Sequence, residues 1–360
     1  MSIETTFTTL EADHIPILSG GDSTLLASTS SWGLPGQVAL GSRQTGEILI
    51  FPDSEIGWGG DWEQLTLNQI WRANGDVVLE TFMLDITSFR GDFYVSSIGV
   101  MEEVDGGGSC AFIGVDKLSQ NLKTLPSISR IWVAPFCLPL SNLESPGWHD
   151  LHGRLIVESE SIYLSTGAFL NETYEGTFPN RGLAKLPDSL ESADSYFGFF
   201  GRLISIDRTT GVFSTLAEGF RGPSGLGADK NGDYFLVADH GPRGGDELNL
   251  IPRKSRSSAA QQIPHFGWPQ VSLGSSYSVP TGDYSELIDT AFNSHVGYVA
   301  PVFSWVPSIA PSQVLQIPAE GEVFVGPNFK EGDWIVASLK AESIFHIRFA
   351  DSGSSVLYSE

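Results

Sequence analysis

The sequence predicts an all-β fold, and three observations carry that expectation. Short runs rich in β-branched and aromatic residues, many alternating apolar with polar, are bounded by glycine along the chain. The 360 residues include 40 glycines and 20 prolines, a mixture that suits many strands joined by tight turns better than long helices. Strands beginning near residues 91, 161 and 232 recur at about seventy-residue intervals, the period of successive four-stranded units in a β-propeller. A pair of packed β-sheets is the competing architecture on pattern alone.

The individual runs are explicit. Gly46 to Phe51, Gly91 to Ser96, Ser161 to Thr166, Gly232 to Asp239 and Gly332 to Ser338 each read as a strand, three of them opened by a Gly-Asp turn. Most are followed by a second strand that closes a hairpin: Cys110 to Val115, Gly201 to Asp207, Glu247 to Ile251 and Ser343 to Arg348. The expected blade hairpins are therefore 153–166, 201–239 and 332–349, with no helix beyond two turns. No Pro/Ser-rich linker divides the chain, so residues 1–360 are expected to form one domain, with Arg253 to Gln262 a polar loop within it.

Composition excludes some functions. A net charge of −23 leaves no basic stripe to displace counterions from phosphates, which argues against nucleic acid and anionic membrane surfaces. No apolar stretch approaches the roughly 20 residues of a membrane span. Met1 to Ile17 lacks the basic-then-apolar pattern of a leader. Cys110 and Cys137 are expected as two buried thiols, with a single bridge as the alternative in an oxidising compartment.

Three segments in order carry the chemistry: Gly219 to Leu226 (GFRGPSGL), Ala238 to Ile251 (ADHGPRGGDELNLI) and His265 to Pro269 (HFGWP). Their spacing resembles that of the soluble PQQ-dependent aldose sugar dehydrogenases, also described as glucose/sorbosone dehydrogenases. Ala300 to Ser312, Ala337 to Lys340 and His149 to Gly167 are similar to further family segments. The first hundred residues match only loosely, through Pro35 to Phe51 and Leu84 to Ser97.

The resemblance implies a six-bladed β-propeller holding pyrroloquinoline quinone (PQQ) and calcium. In such enzymes a histidine takes the proton of a sugar's anomeric hydroxyl while hydride passes to the quinone. A base that titrates near neutrality suits histidine, and charge developing on the quinone oxygen suits calcium and an arginine. By the same resemblance, the Gly241 and Pro242 carbonyls hold the cofactor's calcium, and Glu247 with the Phe266 carbonyl holds a second one. Arg221 faces the quinone oxygen, Lys340 a cofactor carboxylate, and Trp305 stacks on the ring. The substrate class implied is a sugar or polyol, and the location periplasmic or extracellular.

Several positions depart from the family pattern. Asp150 stands where the catalytic histidine belongs, with His149 and His152 as shifted candidates for the base. Ala168 replaces the aspartate that orients it, and Gly222 an asparagine that helps bind the cofactor. The family's Arg-Ile-Arg-Asp segment is not found, so two expectations stand open: an incomplete last blade, or a ring that closes differently. Two readings follow: an active dehydrogenase with a shifted base, or an impaired propeller that binds a small ligand or a protein. A propeller lactonase, using Asp85, Glu144 and Asp239 as a metal cage, ranks behind both.

Overall fold

The computed structural model describes residues 25–30, 37–42, 47–52, 63–102, 109–121, 124–135, 138–139, 152–167, 200–241, 245–253, 263–268, 295, 297–317, 330–349 and 356–359. Among them strands dominate and form five antiparallel sheets in chain order. The first contains β1 (Leu25–Ser30), β2 (Gln37–Ser42), β3 (Glu47–Pro52) and β4 (Glu63–Thr66). Helix α1 (Leu67–Ala73) follows, opened by a capping box in which Thr66 and Gln69 satisfy each other's backbone amides. The second sheet contains β5 (Glu80–Phe89), β6 (Asp92–Glu102), β7 (Ser109–Asn121) and β8 (Thr124–Val133), with the short β9 (Leu138–Pro139) on β7.

The third sheet joins β10 (Leu155–Val157), β11 (Ser161–Thr166), β12 (Arg202–Asp207) and β13 (Phe213–Glu218). The fourth joins β14 (Pro223–Ala228), β15 (Tyr234–Asp239), β16 (Asp246–Pro252) and β17 (Phe303–Trp305). The fifth joins β18 (Pro311–Gln316), β19 (Trp334–Ser338), β20 (Ser343–Phe349) and β21 (Val356–Ser359). This last sheet has the four strands of a blade.

Each sheet is a meander whose first strand adjoins the first strand of the next, from β1 through β5, β10 and β14 to β18. Stacked meanders bury both faces of a strand, so β15 reads as the apolar run YFLVAD instead of an alternation. Successive side chains then serve opposite cores. Phe235 and Val237 pack with Leu203 and Ala217 of the third sheet, whereas Leu236 and Ala238 pack with Val314 and Trp334 of the fifth. At Gly227 of β14 a Cβ would lie 2.6 Å from the Trp334 ring, so glycine there lets these two sheets close.

One expectation changes. Cys110 is disulfide-bonded, not a free thiol. Its backbone pairs with Pro139, two residues beyond the chain's other cysteine, in the ladder of β7 and β9. Arg253 opens the expected polar loop, and its guanidinium bonds Glu158 at 2.8 Å and lies over Tyr163 and Phe235, tying the third sheet to the fourth. Residues 254–262 of that loop lie outside the described residues.

Candidate active site

Arg154 stands where the first strands converge. From the residue before β10 it reaches Asp85 of β5 at 3.3 Å, the Ser224 carbonyl of β14 at 2.6 Å and the Ser312 carbonyl of β18 at 2.7 Å. Serine hydroxyls repeat the linkage: Ser96 donates to the Gly153 carbonyl, Ser165 to that of Pro223 and Ser224 to that of Pro311. These bonds fix the starts of the first strands relative to one another. The candidate site is assembled from those strand starts.

Asp239, at the end of β15, organises the Arg221–Gly222 turn. Its two carboxylate oxygens accept from the Arg221 amide at 3.0 Å and the Gly222 amide at 2.7 Å. Burial pushes the Asp239 carboxyl well above the usual carboxylate range, and neighbouring Glu247 adds to the rise. The turn sets the Arg221 guanidinium on the His240 carbonyl at 3.2 Å, with its cationic carbon 5.7 Å from the Trp268 ring centre.

Gly222 brings in the histidine. A Cβ at position 222 would fall 3.0 Å from Nε2 of His152 and 3.3 Å from Cβ of His240. His152 is buried, and its ring meets that of His240 edge-on at 5.4 Å. The His152 ring thus uses the space that a side chain at position 222 would need. His240 is held differently, through Nε2 to the Pro311 carbonyl at 2.5 Å, and burial lowers its pKa.

Asp246 ties the neighbouring loop to the same end. One oxygen accepts from Gly241 at 3.2 Å, the other from Ile309 and Ala310 at 2.7 and 2.8 Å. Lys340 joins through its amide to the Ile309 carbonyl at 3.1 Å and its ammonium to Ser308 at 3.2 Å. Arg221, His152, Gly241 and Lys340 therefore belong to one connected end of the sheets. Trp305 pairs with Asp246 in the ladder of β16 and β17, and its ring packs edge-on to Phe303 and Phe345. His149, Asp150, Ala168, Pro242 and Glu144 lie outside the described residues. Asp85 bonds the Arg154 guanidinium and the Leu155 amide, and Asp239 bonds the Arg221 and Gly222 amides.

Glu247 is buried on β16, opposite Asp239 in the β15 ladder. Its Oε1 lies 3.6 Å from Nε2 of His295, and its Oε2 lies 3.5 Å from the Asn249 amide nitrogen. The Phe266 carbonyl, expected to face a cation, accepts from the His295 ring. Burial lowers the His295 pKa, and the Phe266 carbonyl partly opposes that. Among the described residues no three of His, Cys, Asp and Glu come together as a cage. Buried oxygens from Glu247 and Asn249 nonetheless fit a divalent cation, since Asn249 Oδ1 has no hydrogen-bond partner among the described residues. The sequence motif pointed to Glu247 and Arg221, but the parts played by His240, Arg154, Asn249 and His295 come from the fold.

Comparisons with known proteins bear on family and fold. Residues 206–360 match the family model described as Glucose / Sorbosone dehydrogenase. Over 135 residues the chain is 30% identical to aldose sugar dehydrogenase YliI of Escherichia coli (strain K12), covering 35% of this chain and 32% of that protein. Over 99 residues it is 33% identical to the uncharacterized protein slr1608 of Synechocystis sp., covering 26% of this chain and 19% of that protein. The matched segments thus span about a third or less of these curated relatives. The apo-form soluble aldose sugar dehydrogenase of Escherichia coli has a similar structure, with TM-score 0.56, 16% identity and coverage of 93% of this chain and 88% of that one. The PQQ-bound aldose sugar dehydrogenase of Streptomyces coelicolor gives 0.51, 15%, 95% and 85%. At such identities the likeness is one of fold. No helix among the described residues is long and apolar enough to cross a membrane.

Proposed function

We infer that this chain, whose residues 206–360 belong to the glucose/sorbosone dehydrogenase family, is a sugar dehydrogenase that oxidises aldoses at the anomeric carbon. His152 is its base. The observation that carries this reading is the contact between Gly222 and His152, which brings an imidazole to the Arg221 turn despite the shifted register. A six-bladed ring formed by one domain is part of the same reading, supported by five successive meanders and the structural likenesses.

The residues fit the cofactor that the family implies. PQQ is a trianion in a chain of net charge −23, so fixed local cations must hold it. Arg221 and Lys340 are those cations, and the carbonyls of Gly241 and Pro242 would hold its calcium. When bound, the quinone supplies the hydride acceptor. The protein's own part is to take the hydroxyl proton at His152 and to oppose developing negative charge with the Arg221 guanidinium. Packing against His240 keeps the His152 ring in place, where the family uses the carboxylate that Ala168 lacks. Glu247 carries a second, structural divalent cation. The Cys110 disulfide supports a periplasmic or extracellular location.

Spectral titration of the purified chain with PQQ and calcium tests the binding half of this reading. Saturable binding is expected, weakened about ten- to a hundred-fold in Arg221→Ala, the cost of one charge-assisted contact. Absence of saturable binding at millimolar PQQ would sink it.

A further inference from the structure

The pocket at Glu247 contains a donor that a calcium site does not call for. The His295 side chain is 4% exposed, and its Nε2 has no hydrogen-bond partner among the described residues. The ring bond to the Phe266 carbonyl therefore uses Nδ1–H. In that tautomer Nε2 presents a lone pair, and it faces a carboxylate oxygen across 3.6 Å. The distance is too long for a hydrogen bond, and a cation held by both atoms would account for such a separation.

The geometry matches a metal ligand. A backbone carbonyl that holds Nδ1–H fixes the tautomer and aims Nε2 at an ion, as in many histidine metal sites. Two donors each about 2.1 Å from a common ion, at a near-tetrahedral angle, sit about 3.4 Å apart. The observed separation is close to that. Asn249, two residues from Glu247 on β16, is 0% exposed and contributes the unpartnered Oδ1 beside it. Calcium takes six to eight oxygens, whereas imidazole suits zinc-class cations.

We propose that His295, Glu247 and Asn249 form a mixed nitrogen–oxygen site that takes a first-row divalent cation of the zinc class in preference to calcium. It rests on Glu247 being the cation-bearing residue, and it alters both the ligand set and the ion. The site is structural, separated from the Arg221–Gly222 turn by Asp239.

The test uses the full chain stripped by a chelator and titrated calorimetrically with Zn2+, Mn2+ and Ca2+ in turn. One equivalent of Zn2+ is expected to bind at least ten-fold tighter than Ca2+. The His295→Asn variant keeps a donor for the Phe266 carbonyl but loses the ring lone pair, and should weaken Zn2+ about 100-fold while leaving Ca2+ unchanged. Glu247→Gln should weaken every ion. Loss of binding in Glu247→Gln with none in His295→Asn overturns the proposal yet leaves the Glu247 cation intact. Binding unchanged in both variants removes both. If His295→Asn does not fold, Cu2+ electron paramagnetic resonance of the unmutated chain decides: nitrogen splitting on the first equivalent supports the site, and an all-oxygen signal refutes it.

Discussion

Gly222 and His152 occupy one another's space: a first side-chain carbon at position 222 would lie 3.0 Å from the His152 Nε2. That contact is tighter than ordinary packing, and the ring must give way to any larger residue. Gly222 does not sit in the left-handed region, so alanine strains no backbone there. Reduced unfolded-state entropy contributes about 0.4–1 kcal/mol in favour of alanine and offsets part of the steric cost. Gly222→Ala should therefore melt near the unmutated protein while its kcat falls about ten-fold or more. Full activity in Gly222→Ala, measured with PQQ and calcium in excess, would separate His152 from the chemistry.

Glu247 is buried beside Asp239, and burial together with this neighbour holds the Asp239 carboxyl protonated more readily than usual. A divalent cation bound only to the folded chain stabilises it by about 2.7 kcal/mol at a hundred times its dissociation constant. Chelator should lower the melting temperature of the unmutated protein, whereas Glu247→Ala should show little further shift. Differential scanning calorimetry with and without chelator checks both.

Asp116 sets a pH dependence of its own. It bonds Arg130 at 2.7 Å, yet burial outweighs that partner and raises its pKa from 3.8 to about 6. The folded state then holds this proton more tightly than the unfolded one, so stability falls as pH rises from about 4 to 6. A shift of about two units corresponds to about 3 kcal/mol across that window. Urea unfolding should show the unmutated protein losing ground to Asp116→Asn between pH 4 and 6. A difference that grows in its favour would mean that Arg130 prevails.

Cys110, which pairs with Pro139 of β9 from β7, is disulfide-bonded. Reduction should lower stability by about 2–4 kcal/mol, and Cys110→Ser should be equally destabilised but insensitive to reductant. Equal urea midpoints with and without reductant would show that the bond carries no such weight.

The strands were legible because glycine and residue pattern mark them locally. Ser161 to Thr166 runs as its pattern predicts. The run expected to stop at Ser96 continues to Glu102, because Ser97 accepts from the Trp71 indole and Gly99 leaves room for its ring. In sequence, Ser-Ser and glycine look like a strand end, and only a partner from α1 makes them interior. The site divides the same way. Arg221 and Glu247 lie in motifs, whereas His295 matters only through a strand far from it in the chain. Asn249 left one local signal, a polar residue within the otherwise apolar run from Leu248 to Ile251.

The most direct test of the central claim is turnover after reconstitution with excess PQQ and calcium, using glucose and other aldoses with an artificial electron acceptor. Turnover that requires PQQ, and that falls by at least a hundred-fold in His152→Ala while PQQ binding is retained, is the result expected of a base brought to the Arg221 turn by Gly222. Unchanged turnover in His152→Ala, or saturated PQQ with no oxidation of any aldose, would contradict the assignment.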